Sequence, residues 1–136
     1  MSQTAAIGKF FGAYEGSGRW HDEIGKSGTY RVGQNNRPTA NGFAIEFKHD
    51  FDDTSIVEAR FSMAWLESGL FRVTVAGTAV GNGYVFDEYC HYHIATDRAL
   101  VEVSYRLDGN RIDVFGSSTR NAEGHYIAWR ETLRRR

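Results

Sequence analysis

The stretch Asp87-Glu88-Tyr89-Cys90-His91-Tyr92-His93-Ile94 is chemically the most unusual in the chain. Read as part of one strand over 84–94, it puts Val85, Asp87, Tyr89, His91 and His93 on one face. Tyr84, Phe86, Glu88, Cys90, Tyr92 and Ile94 take the other. Which face looks inward decides the chemistry. A His91-x-His93 pair could hold zinc or another transition metal if a neighbouring strand supplied a further ligand, with Asp87 and Glu102 nearest by position. With the opposite face inward, Glu88 and Cys90 sit among Tyr84, Phe86 and Tyr92, and a buried carboxylate must be paired or protonated. His49, which alternates with Phe47 and Phe51, or His125 is the candidate partner. Glu88, His49 and His125 are thus the candidate catalytic residues of a cavity enzyme using isomerase- or cyclase-type acid–base chemistry. Histidines hydrogen-bonded on a sheet wall or at a dimer face are the preferred reading of His91 and His93, so no metal is expected.

Other chemistries have less to stand on. Cys90 lies beside His91 and His93 in sequence, but adjacent strand residues point apart, so a thiolate–imidazole pair would need His49 or His125 from another strand. A lone buried cysteine is more often a small apolar filler. No Gly-x-Ser-x-Gly elbow occurs. The glycines of Gly12-Ala13-Tyr14-Glu15-Gly16-Ser17-Gly18-Arg19-Trp20 do not make a dinucleotide fingerprint: His21 stands where the third glycine belongs, and no helix follows. Asp50, Asp52 and Asp53 lack the spacing of a calcium loop. Sixteen basic and seventeen acidic residues give a net charge of −1, which argues against nucleic acid or an anionic membrane as partner. Arg134, Arg135 and Arg136 read as a solvated tail.

The elements that must position these residues are strands. Fifteen glycines against one proline fall mostly with Asn, Asp and Ser between apolar alternations, where turns need positive φ. Turns are predicted at 23–28, 35–42, 50–54, 67–69, 81–83, 96–98, 108–110 and 121–124. Phe43, Ile45, Phe47 and Phe51 share a face opposite Glu46, Lys48 and Asp50. Phe71, Val73 and Val75 oppose Arg72 and Thr74. Val101, Val103 and Tyr105 oppose Glu102, Ser104 and Arg106, and Ile127, Trp129 and Leu133 oppose Arg130, Thr132 and Arg134. The segment 54–68 is ambiguous, because Ser55 with Glu58 mimics a capping box. Unbroken alternation of Val57, Ala59, Phe61, Met63 and Trp65 favours a strand. The first nine residues could add a helical turn ending at Gly8 that plugs one end of a barrel.

Many strands with short links and no crossover helices close most economically up and down, which removes both edges. A Greek-key sandwich would ask for longer connections. The expected fold is all-β: one domain over 1–136, an antiparallel meander closed into a barrel of about nine strands. The first-strand glycines would relieve crowding where a barrel strand bends.

The glycine–aromatic–glycine first strand, the meander and the closing strand Tyr126-Ile127-Ala128-Trp129-Arg130-Glu131 resemble the calycin superfamily of lipocalin-like barrels. In that resemblance Gly12-Ala13-Tyr14 stands for the early Gly-x-Trp, with Tyr for Trp, and Arg130 or Arg134 for the arginine that packs on it. The resemblance implies a cup for a small apolar molecule. The haem-binding nitrobindin-like branch, with its histidine near the C-terminus, would put His125 on iron; the sequence around His125 fits poorly, and no cofactor is expected.

The function expected is therefore a barrel binding a small, largely apolar ligand. Tyr14, Trp20, Phe47, Trp65, Tyr84, Phe86, Tyr92 and Trp129 would supply contact area, with His49, Glu88 and His125 orienting the ligand. A cavity enzyme and a haem or metal binder are the alternatives. The aromatic face of Tyr89, His91 and His93 suggests a homodimer. A lone cysteine and a start without a basic, apolar leader suggest a cytoplasmic location.

Overall fold

The computed structural model describes residues 7–67 and 69–136. Among them, ten strands form a closed antiparallel barrel: β1 (Gly12–Asp22), β2 (Ser27–Thr39), β3 (Gly42–Phe51), β4 (Ile56–Trp65), β5 (Leu70–Val75), β6 (Thr78–Phe86), β7 (Tyr89–Ala95), β8 (Leu100–Asp108), β9 (Arg111–Ser118) and β10 (Ile127–Arg135). Each strand pairs with its sequence neighbours, and β1 closes onto β10 from Tyr14↔Arg135 to Asp22↔Ile127. The segment with competing helix and strand signals is β4, paired on both sides. No helix among the described residues is long and apolar enough to cross a membrane.

The expected all-β meander of about nine strands holds, and the tenth strand comes from two hairpins in place of one. The stretch 84–94 is not one strand but the end of β6, a tight turn at Asp87 and Glu88, and β7. Asp87 takes a positive φ of 52°, which aspartate tolerates better than most residues. Ala76 and Gly77, with φ of 49° and 82°, turn β5 into β6. The predicted turn at 81–83 is instead the middle of β6.

Glycines inside the barrel make room for rings. Gly18 lies opposite Tyr30, Gly28 opposite Trp20, Gly83 opposite Phe71 and Gly116 opposite Trp129 on the neighbouring strand. A Cβ on any of the four would come within 2.1–2.7 Å of the ring beside it. Large rings therefore lie down along the wall instead of filling the axis.

The two ends differ. Of the helical turn expected over the first nine residues, positions 1–6 lie outside the described residues. The described part is a 3-10 turn, Gly8–Phe10, that brings Ile7 and Phe10 into the core at 2% and 1% exposure. Phe43, Met63, Phe71 and Leu133 are among the buried residues of that core. Arg135 holds the turn: its guanidinium donates to the carbonyls of Lys9 (2.8 Å) and Phe11 (2.9 Å) and to the Tyr14 hydroxyl (2.7 Å), and sits 5.2 Å over the Tyr14 ring. The arginine that packs on the first-strand aromatic is thus Arg135, not Arg130 or Arg134. Those two alternate with Glu131, Leu133 and Arg135 and are exposed, with Arg130 lying over Phe115 instead.

Candidate functional site

Away from the plugged end, the lumen opens into a cavity of about 530 Å³. Its walls are mostly apolar: Trp20 from β1, Phe47 and Phe51 from β3, Phe61 from β4, Val101 and Val103 from β8, and Trp129 from β10. Asp22, Lys26, Asp53, Ser55 and the loop residues Asn121 and Glu123 stand among the lining from the turns at the open end. Such a space is large enough for a small molecule.

Deeper, the wall carries polar groups at positions where alternation calls for apolar ones. Glu131 shares its face with Ile127, Trp129 and Leu133 and is 3% exposed. Tyr30 donates its hydroxyl to Glu131 Oε2 at 2.7 Å, and His49 Nε2 lies 3.4 Å from the same oxygen. Below them, Gln34 donates to Asn36 (3.0 Å) and to the Tyr105 hydroxyl (3.3 Å), which meets the Tyr92 hydroxyl at 3.1 Å. Asn36 donates to the Phe10 carbonyl at 3.0 Å, linking this network to the plug. Buried polar groups satisfied in this way fix the wall in one arrangement.

Burial sets the protonation of the pair. It pushes the Glu131 carboxyl up to about 7, against the smaller opposing effect of the Tyr30 hydrogen bond. It pushes His49 down to about 4. Although the contact has the length of an ion pair, both shifts favour a neutral imidazole beside a carboxyl that retains its proton up to neutrality. A carboxyl so poised, beside a neutral base, can accept or donate a proton within the lumen. Tyr30, Tyr92, Tyr105 and the fully buried Cys90 are all pushed upward by burial and stay protonated.

Of the residues singled out in sequence, Trp20, Phe47, His49, Tyr92 and Trp129 line the cavity. Six others stand elsewhere. Tyr14 is fully buried under Arg135 at the plugged end. Trp65 packs on Phe43 and Phe71 with ring centroids at 5.3 and 6.1 Å, away from the lining. Tyr84 and Phe86 face outward at 45% and 69% exposure. Glu88 is in the β6–β7 turn, 3.0 Å from Lys9, so the carboxyl beside His49 is Glu131 and not Glu88. His125 lies in the β9–β10 loop with Nδ1 3.6 Å from Glu23 and does not line the cavity.

The two-residue turn explains the outward placements, because paired residues share a face: Val85 with Cys90 inward, Tyr84 with His91 outward. His91 and His93 thus face outward, with His91 Nδ1 2.8 Å from the Ser104 hydroxyl. Among the described residues, no group of three or more His, Cys, Asp or Glu is gathered to hold a metal. Tyr30, Gln34, Tyr105 and Glu131 were not singled out. Glu131 nonetheless left a signal, as an acid in phase with Ile127, Trp129 and Leu133.

No family model and no curated protein matches the chain. Solved structures do. An S-type phycobiliprotein lyase, CPES from Guillardia theta, superposes with a TM-score of 0.80 at 11% identity over 100% of this chain and 93% of that one. Rv2717c from M. tuberculosis gives 0.66 at 11% identity, over 100% and 98%. A DUF3598-family protein from Nostoc punctiforme gives 0.68 at 10% identity, over 96% of this chain and 49% of that one. At these identities the likeness is one of fold alone: a closed, lipocalin-like antiparallel β-barrel.

Proposed function

We propose that this chain is a small-molecule-binding barrel whose lumen takes a flat molecule with a large apolar body and a small polar end. The observation that carries the reading is the cavity itself. About 530 Å³ is open between aromatic and aliphatic walls, and Glu131, Tyr30 and His49 converge on one side of it. Rings laid against glycines keep the lumen from being filled by its own side chains. Its wall groups are already hydrogen-bonded to one another, so binding would require little reordering. That a structural neighbour is a phycobiliprotein lyase supports a ligand-handling role for this barrel shape.

Native mass spectrometry of protein purified from its own host tests this directly. A retained small molecule is expected. With emptied protein, titration of 9-methylanthracene should quench the emission of Trp20 and Trp129, which face the lumen. Folded protein that retains nothing and shows no quenching with this or other flat aromatic molecules would overturn the reading.

A further inference from the structure

The geometry points to a ligand that carries a positively charged nitrogen, a protonated amine or protonated heterocycle, seated on the Glu131 carboxylate with its apolar body against the aromatic wall. This rests on the lumen being a ligand site and deepens that reading.

The first observation is the state of Glu131. Its Oε2 takes both the Tyr30 hydroxyl and the His49 contact, while Oε1 has no hydrogen-bond partner among the described residues. The residue is nevertheless 3% exposed and part of the cavity lining. A buried carboxyl must find a proton, a cation or donors. His49 does not supply the cation, since burial keeps it neutral well below neutral pH. From the other elements against Glu131, the facing groups are Tyr30 on β2, and Tyr92 and Tyr105 on β7 and β8, all held neutral by burial. Its cross-strand partners are Gly18 on β1 and Val114 on β9, which bring no charge. A ligand N–H⁺ would complete the site.

The second observation is the charge of the lining. Asp22, Asp53, Glu123 and Glu131 stand against Lys26 alone, and Lys26 is 3.5 Å from Glu123. The path from the open end to the carboxyl therefore attracts cations and repels anions. The third is the aromatic wall. Trp20, Tyr30, Phe47 and Trp129 line it, and aromatic rings attract a desolvated cation as a purely aliphatic wall would not. A site built only for neutral hydrocarbon would gain nothing from a buried acid at position 131, where leucine or valine would satisfy the alternation.

Three probes of one shape separate the possibilities: 9-(aminomethyl)anthracene, 9-methylanthracene and anthracene-9-carboxylate, followed by quenching of tryptophan emission. The amine is expected to bind the wild-type protein roughly ten-fold or more tighter than the methyl compound at about pH 8, since a hydrogen bond to a charged group exceeds a neutral contact by that order. The advantage should shrink at about pH 5.5, where Glu131 is protonated. In Glu131→Gln, whose amide oxygen can still accept the Tyr30 hydroxyl, the amine should fall to the level of the methyl compound, whose own affinity stays unchanged. A merely structural Glu131 would not move this selectivity.

Equal binding of amine and methyl compound at about pH 8 would overturn the inference while leaving the lumen as a ligand site. Tighter binding of the carboxylate, or an amine advantage that survives in E131Q, would do the same. The wild-type pH series decides the matter if E131Q does not fold. Failure of all three probes in protein that also retains no molecule from its host would remove both readings, and a retained molecule without a basic nitrogen would overturn this inference alone.

Discussion

At the scale of single residues, Glu131 and His49 tie the stability of the barrel to pH in opposite senses. Glu131 is held near 7 by burial, above its ordinary value of 4.5. Between those values the folded state keeps a proton that the unfolded state has lost, so stability falls as pH rises, by about 3 kcal/mol for a shift of this size. His49 is held near 4, below its ordinary 6.5. Between those values the unfolded state takes a proton that the folded state refuses, so stability falls as pH drops, by a similar amount of about 3 kcal/mol. The two contributions nearly offset from about pH 4.5 to 6.5 in the wild type. Urea denaturation across that range should expose each one. The stability of E131Q relative to wild type should improve as pH rises from 4.5 to 7. That of His49→Gln relative to wild type should decline as pH rises from 4 to 6.5. Flat difference curves for both variants would mean that the two groups titrate with ordinary values in the folded protein.

At the scale of strands, the cross-strand pairing of glycine with a ring decides how much lumen remains. Gly116→Val would place its side chain into the Trp129 indole, since even a Cβ there lies 2.1 Å from it. An expected cost of about 1–3 kcal/mol from overpacking should accompany a shift in tryptophan emission as Trp129 is displaced. Gly33→Val is the matched control on β2, where a Cβ meets only the Arg136 guanidinium at 3.7 Å, and it should change stability by less than about 0.5 kcal/mol. The same pairs explain what could be read from sequence. Period-two alternation is legible where exposed residues alternate with covered ones, in β8, in β10 and in the second half of β3, whereas β4 and the start of β3 lack a cleanly wet face. Gly81-Asn82-Gly83 has the composition of a turn, yet Gly81 is needed where the His93 carbonyl crosses within 1.8 Å of a Cβ position, and Gly83 where the Phe71 ring lies. The true turn at Ala76 and Gly77 carries no Asn or Asp to announce it. Merging β6 with β7 concealed the parity change at Asp87 and Glu88, and so turned the inner face of that hairpin into a question. Strand alternation puts Phe47, Trp20 and Trp129 on the face the barrel turns inward, whereas the partner of His49 depends on barrel closure, which leaves only β1 and β2 between β10 and β3.

At the scale of the whole molecule, the barrel has the shape of a cup because one end is shut, where the last strand returns to the first. Tyr14 and Arg135 are paired across the β1–β10 seam that closes the sheet. From there Arg135 spans the Tyr14 hydroxyl and two carbonyls around the 3-10 turn, so one side chain couples barrel closure to the plug. The polar network continues inward from the Phe10 carbonyl through Asn36 and Gln34 to Tyr105. Loosening the plug should therefore be felt inside the lumen as well as at the terminus. Arg135→Ala removes three charge-assisted donors and the cation over the Tyr14 ring, and should cost about 2–4 kcal/mol in urea denaturation. Backbone amides of Gly12 to Tyr14 and of β10 near Leu133 should exchange faster in this variant. Arg134→Ala, one residue away on the outer face, should leave both readouts within about 0.5 kcal/mol and two-fold of wild type. Equal effects of the two substitutions would mean that closure depends on the apolar burial of Ile7, Phe10 and Tyr14 alone, and that the arginine over the first strand is not the latch.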